Sequence, residues 1–209
     1  MCGITGFWAP HVFTDEGASL AAVRHMSQRL THRGPDADGH WIDDETGVGL
    51  GHRRLSIIDL SPNGVQPMVS ASGRTVIAYN GEVYNFQEIR RALPKDIPWH
   101  SETDSEVVLE AIEHWGVEEA AQRFNGMFAI ASWDRQSRAL TLIRDRIGIK
   151  PLYFGTSGKS LLFGSELKSL SAFPGFENGI RPAAIESVLA LGYVRSPLSI
   201  YEGIRKLAP

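Results

Sequence analysis

The chain has 209 residues, enough for one large domain or two small ones, and its 43% hydrophobic and 22% charged residues argue against disorder. Its 21 basic and 24 acidic side chains leave a formal net charge of −3, which excludes a broad basic field for nucleic acid. No apolar run nears the roughly 18 residues needed to span a bilayer. The opening residues MCGITGFWAP lack the basic and apolar regions of a secretory signal, so the expected location is the cytoplasm.

Ile4–Trp8 reads as a short apolar strand. Leu20, Val23, Met26 and Leu30 recur at helical spacing over Ala18–Leu30, and the run Thr31–Asp36, with its Gly34-Pro35, stops that helix. Gly47–Ile58 and Thr75–Asn80 look like buried strands, and Phe86–Leu93 like a short helix closed by Pro94. Ser105–Trp115 is an amphipathic helix with Val107, Val108, Ala111, Ile112 and Trp115 on one face. Gly126–Trp133 and Ala139–Ile143 form a hairpin around Asp134–Ser137, and Leu152–Gly155 and Ser160–Phe163 another around Thr156–Lys159. Glu166–Leu170 and Pro182–Leu191 are further helices. Strands in tightly turned pairs with helices between the groups favour antiparallel sheets covered by helices, an α+β fold.

The one cysteine, Cys2, excludes an intramolecular disulfide and a cysteine-rich zinc site. Position 2 tolerates many residues, so a bland role is open. Removal of Met1, however, would put a thiol and a free α-amine on one carbon. A thiol of pKa about 8.5 needs a base at neutral pH, and an α-amine of pKa about 7.7–8.0 is a recognised one. Gly3 would let the backbone bend closely around a substrate. His32 and His52 invite comparison with a Cys–His pair, but the terminal amine makes a histidine base unnecessary; His32 and Arg33 are expected to hold the loop after the first helix. His100 and His114 show no metal-ligand spacing, and no metal site is expected.

Several motifs stand in order: Met1–Gly6 (MCGITG), His32–Asp36 (HRGPD), Gly51–Leu60 (GHRRLSIIDL), Gln66–Met68 (QPM), Tyr79–Asn85 (YNGEVYN) and Thr103–Glu106 (TDSE). Phe124–Phe128 (FNGMF), Arg144–Arg146 (RDR), Gly148–Tyr153 (GIKPLY) and Ser165–Lys168 (SELK) follow. Together they resemble the glutaminase domain of glutamine-hydrolysing asparagine synthetases, a class II glutamine amidotransferase with an N-terminal nucleophile. The likeness covers nearly the whole chain, and the agreement in order and spacing carries it; any single motif would be weak.

Several of these residues have two readings. Arg53 and Arg54 lie in a strand-like run, where alternation sends them to opposite faces, so only one can enter a site. A guanidinium there is either a salt bridge at a strand end or a fork for a carboxylate; the resemblance implies that Arg54 binds the glutamine α-carboxylate. Asn80-Gly81 is by itself a common hairpin-turn signal; the resemblance makes the Asn80 amide and the Gly81 N–H an oxyanion hole, with Glu82 as a partner for the substrate ammonium. Thr103-x-x-Glu106 is a capping box, and Asp104 suits the first turn of a helix; the resemblance assigns Asp104 to the glutamine α-ammonium.

The resemblance implies the four-layer α/β/β/α sandwich of N-terminal nucleophile hydrolases. It implies hydrolysis of the glutamine side-chain amide through a thioester on Cys2, supplying ammonia for asparagine synthesis from aspartate. Residues 1–190 would form the glutaminase domain and 191–209 the start of a connection to a synthetase domain. The glutaminase half needs no cofactor; ATP and magnesium would belong to the synthetase half, whose pyrophosphate loop is missing from these residues. Glutamine and that second domain are the expected partners, a homodimer is left open, and neither nucleic acid nor membrane is expected. An exposed apolar patch over Ala190–Pro209 would mark contact with the second domain. Glucosamine-6-phosphate synthase shares the Cys-Gly-Ile start but fits the other motifs less well. Two alternatives remain: a related amidotransferase acting on another carboxylate, sugar acids included, and a non-catalytic glutamine-binding domain if Met1 is retained.

Overall fold

The computed structural model describes residues 1–13, 15–55 and 64–209. The chain runs β1 (Gly3–Trp8), α1 (Glu16–Gln28), β2 (Ala37–Asp43), β3 (Val48–Arg54), β4 (Met68–Val69), β5 (Thr75–Val83), α2 (Phe86–Ala92), α3 (Asp104–Trp115) and α4 (Val117–Arg123). It continues with β6 (Gly126–Asp134), β7 (Ala139–Arg144), β8 (Tyr153–Ser157), β9 (Ser160–Gly164), α5 (Leu167–Leu170), α6 (Pro182–Leu191) and β10 (Ile204–Lys206). Two antiparallel sheets result, one in the order β10-β8-β9-β1-β3-β2 and one in the order β4-β5-β6-β7.

Strand alternation sorts the apolar residues into three cores. Ile4 of β1, Val48 and Leu50 of β3, Val76 and Ala78 of β5, and Ala129, Ala131 and Trp133 of β6 pack between the sheets. Ile77 and Tyr79 of β5 and Phe128 and Ile130 of β6 point the other way, against α2, α3 and α4. On the far side, Phe7 and Leu162 meet Ala22, Val23 and Met26 of α1 and Leu170 of α5. The product is a four-layer α/β/β/α sandwich, the architecture that the resemblance implied.

Most of the expected elements are present, and the departures are informative. β5 runs straight through Asn80 and Gly81, which face Ala129 and Phe128 of β6, so this Asn-Gly is mid-strand and not a turn. A Cβ at position 81 would lie 2.5 Å from the Met127 carbonyl oxygen, so the glycine is there for close strand approach. The expected capping box does not form. Thr103 is the N-cap of α3 but makes no side-chain cap bond. Glu106 reaches past it to accept from the His100 and Ser101 N–H groups at 2.8 and 2.7 Å. Residues 56–58 of the expected strand 47–58 lie outside the described residues, as does the Ser56–Leu60 part of the motif above; β3 ends at Arg54. The second hairpin has longer strands than expected and turns on Gly158-Lys159 alone, with Gly158 at φ 55°.

β2 and α4 lacked a sequence signal, because Asp, Gly and His interrupt β2 and α4 has only seven residues. Within 191–209, β10 pairs with β8 and forms an edge of the six-stranded sheet, with Ile204 buried. The exposed apolar side chains lie slightly earlier than expected. Ile185, Val188, Leu189 and Leu191 of α6 and Tyr193 just after it are exposed, and α6 buries only Ala184. No helix among the described residues is long and apolar enough to cross a membrane.

Candidate active site

The alternation that builds the central core also builds the site. Ile4 faces the other sheet, so Cys2, two residues earlier, projects between the sheets as well. Val48 and Leu50 fix the parity of β3, so His52 and Arg54 also face inward while Arg53 faces out. Arg53 donates to the Gly34 carbonyl at 3.0 Å and pairs with Asp38 at 3.5 Å. On the facing sheet Asn80 and Glu82 share the face of Val76 and Ala78.

The open edge of β5 supplies a second set of groups. β4 is only two residues long and stops opposite Ile77. Beyond it no strand among the described residues bonds the odd-numbered residues of β5, and side chains take over. The Tyr79 N–H donates to Gln66 Oε1 at 2.6 Å, and the Tyr79 carbonyl lies 3.1 Å from His52 Nε2. The Val83 N–H donates to Asp104 Oδ2 at 2.9 Å. Gly81 lies between them, so its N–H faces the same open edge.

These residues surround a cavity of about 90 Å³ lined by Cys2, His52, Arg54, Leu55, Gly64, Gln66, Tyr79, Gly81, Glu82, Thr103, Asp104 and Ser105. Five of the six site residues expected from the sequence line it: Cys2, Arg54, Gly81, Glu82 and Asp104. The sixth, Asn80, is buried beside it, and its Nδ2 has no hydrogen-bond partner among the described residues. A buried unpaired donor costs about 1–3 kcal/mol, so this amide is a donor that the described protein groups leave unused.

Cys2 Sγ accepts a weak bond from the Leu55 N–H at 3.4 Å. Arg54 is 8% exposed, and the backbone at Gly64 comes close to it: a Cβ there would lie 2.4 Å from Nη2. Asp104 is the first residue of α3, and its Oδ2 accepts from the Tyr79 hydroxyl at 2.6 Å. Burial raises the Asp104 pKa above the usual carboxylate value, against the hydrogen bonds from Tyr79 and Val83 that lower it. Burial drops the His52 pKa to about 3, so this imidazole is neutral and bonds the Tyr79 carbonyl. Among the described residues, no group of three or more His, Cys, Asp or Glu is placed to hold a metal ion.

The structure gives His32 and Arg33 a wider task than the one expected. Arg33 Nε donates to the Cys2 carbonyl at 3.0 Å, and Nη1 donates to Glu166 at 2.9 Å. His32 and Lys168 converge on the same carboxylate. Burial pushes the Glu166 pKa up, but its bonds to Arg33, His32 and Lys168 outweigh that and hold it at about 2. The two residues therefore tie the N-terminal strand to α5, rather than only ordering the loop after α1. The partnership spans 133 residues from Arg33 to Glu166, so no local pattern could reveal it. Tyr79 and Gln66 were likewise present in the motifs without a visible role.

Two facing antiparallel sheets with outer helices make a four-layer sandwich, and the single cysteine lies beside its first strand. Solved structures agree on the fold. Glutamine phosphoribosylpyrophosphate amidotransferase from Bacillus subtilis superposes with a TM-score of 0.67, covering 87% of this chain and 46% of that one at 17% identity. A structure described as the allosteric regulatory enzyme of purine biosynthesis gives 0.69, covering 100% and 45%, also at 17% identity. The family model for the glutamine amidotransferase domain matches residues 1–209, and the chain belongs to that family.

Asparagine synthetase [glutamine-hydrolyzing] 1 of Bacillus subtilis is 36% identical over 100% of this chain and 32% of its own length. A putative asparagine synthetase [glutamine-hydrolyzing] 2 of Methanocaldococcus jannaschii is 34% identical over 99% and 42%. Amidase chry2 of Gibberella zeae is 33% identical over 100% and 31%. The chain thus spans between about a third and two fifths of the length of these relatives. It is an enzyme domain of the glutamine amidotransferase kind.

Proposed function

We propose that this chain hydrolyses the side-chain amide of glutamine through a thioester on Cys2. The observation that carries the reading is the buried Asn80 Nδ2 beside the Cys2 cleft, which has no partner among the described residues, with the Gly81 N–H on the open edge of β5. Two fixed donors are what a carbonyl oxygen needs as it gains negative charge. After Met1 is removed, the Cys2 α-amine takes the thiol proton and Sγ attacks the amide carbon. Asn80 and Gly81 hold the oxyanion. The carbon–nitrogen bond breaks as the amine passes its proton to the leaving nitrogen, releasing ammonia. Water then cleaves the thioester, giving glutamate and restoring the thiol.

Arg54 is assigned to the substrate α-carboxylate and Asp104, with Glu82, to its α-ammonium. Removing one partner of a buried charge pair costs about 2–5 kcal/mol. Arg54→Ala and Asp104→Asn are therefore each expected to lower kcat/KM for glutamine by that amount, chiefly through KM, while circular dichroism stays as in the parent chain. An unchanged KM in Asp104→Asn, which preserves size, would remove the ammonium assignment.

In the whole protein the ammonia would pass to a synthetase domain that activates aspartate with ATP and magnesium. The names of the relatives and the shortness of the chain against them support that reading. The test is incubation with glutamine, aspartate, ATP and magnesium, followed by separate assays for glutamate and asparagine. Glutamate without asparagine is expected. Asparagine made by this chain alone would overturn the division of labour.

A second reading applies only to a chain that keeps Met1, since Met1 makes the Cys2 nitrogen an amide. In such a chain the cleft would bind glutamine without turning it over. Met1 is 55% exposed, although its sulfur accepts from Arg33 at 2.9 Å. Intact mass of the purified chain decides between the readings, since a loss of one methionine unmasks the amine.

A further inference from the structure

Resting on the functional reading above, we propose that Tyr79 is a positioning residue for glutamine recognition. Its buried hydroxyl, with the Val83 N–H, pins Oδ2 of Asp104 and so fixes the carboxylate that meets the substrate ammonium.

The geometry is specific. Tyr79 is 2% exposed and points to the helical side of β5, where the first turn of α3 lies. Its hydroxyl meets Asp104 Oδ2 at 2.6 Å, the short distance of a bond from a hydroxyl to an ionised carboxylate. The Val83 N–H reaches the same oxygen at 2.9 Å. Two donors from one strand on one oxygen fix both the rotation and the tilt of the carboxylate. Tyr79 is itself immobilised, because Gln66 holds its N–H and His52 its carbonyl. A phenylalanine would keep the packing and lose the bond.

The electrostatics point the same way. Among the described residues, the titratable and charged groups around the Asp104 side of the cleft are Tyr79 and Glu82 on β5, Cys2 beside β1, and His52 and Arg54 on β3. Burial and the Glu82 charge both favour a protonated Asp104; the Tyr79 hydroxyl and the Val83 and Ser105 N–H groups oppose them. Burial and the Asp104 charge hold the phenol protonated, so it acts as a donor throughout the working pH range. Without the phenol, Asp104 would take up a proton at higher pH than in the parent. A neutral carboxyl cannot pair with an ammonium, so glutamine use would fade from the acid side.

The experiment is a comparison of Tyr79→Phe with the Met1-free parent chain, measuring glutamate release across pH. The expected result is a kcat/KM lower by about tenfold or more, from the loss of a hydrogen bond to a charged group. Most of the change should fall in KM, and the acid limb of the kcat/KM profile should move to higher pH. Alkylation of Cys2 by iodoacetamide, which has no amino-acid end, should proceed at the parent rate. In an Asp104→Asn background, Tyr79→Phe should add little, because the two residues act as one unit. Should Tyr79→Phe fold poorly, Asp104→Glu supplies the second probe: it keeps the charge but moves the oxygens, and KM should rise with the acid limb present. A parent-like KM and acid limb in Tyr79→Phe would overturn this inference and leave the functional reading intact. A parent chain that releases no glutamate would overturn both.

Discussion

Cys2→Ala is expected to abolish glutamate release from glutamine, by at least about 10⁴-fold, as removal of a covalent nucleophile does elsewhere. Cys2 is the only thiol in the chain, so no neighbour can replace it. The substitution should leave the fold untouched, because the side chain is only half-buried and its bond to the Leu55 N–H is long. The same variant should lose covalent labelling by a glutamine-like diazoketone while still binding glutamine. Glutamine hydrolysis at the parent rate in Cys2→Ala would end the thioester reading. Full activity in a chain that retains Met1 would end only the part played by the terminal amine.

Asn80→Ala should lower turnover by about 100–1,000-fold with little change in KM, the usual cost of one oxyanion donor. The split between kcat and KM matters here. The Asn80 amide is proposed to meet the carbonyl oxygen as charge develops on it, so it stabilises the transition state more than bound glutamine. Arg54 and Asp104 hold the amino-acid end in both states, and their loss should appear in KM. Thermal stability gives a second check. The Nδ2 group is buried without a partner among the described residues, so its removal relieves an unpaired donor while opening a small void. The melting temperature should therefore move little despite the large loss of rate. A fall in turnover matched by a comparable fall in stability would mean that Asn80 is a structural residue.

Asn80-Gly81 shows how far local patterns reach. Read as a dipeptide it is a turn; read within Tyr79–Asn85 and the other motifs it is part of a site. The structure places it mid-strand, because β6 pairs along the full length of β5 and a glycine lets the strands approach. Thr103–Glu106 shows the converse. The pattern of a capping box is present, but Glu106 is drawn to the His100 and Ser101 N–H groups, which the preceding loop brings within reach. A three-residue spacing states what a side chain can reach, and the surrounding backbone decides which donor it takes.

Periodicity was sufficient for antiparallel sheets covered by helices, because burial repeats every two residues in a strand and every three to four in a helix. The four-layer sandwich and the five expected residues that line the cleft came from the resemblance carried by the order of the motifs. Alternation along β3 even predicted that only one of Arg53 and Arg54 would turn inward. What only the tertiary structure decided is how distant segments share atoms. The Arg33–Glu166 link to the Cys2 carbonyl, the Tyr79 hydroxyl on Asp104 and the His52 ring on the Tyr79 carbonyl join residues 25 to 133 positions apart. Side-chain hydrogen bonds act over about 3 Å, and chain separation carries no information about which residues meet at that range. Among the described residues β4 stops opposite Ile77, and this leaves the Tyr79 N–H and carbonyl and the Val83 N–H to the side chains of Gln66, His52 and Asp104.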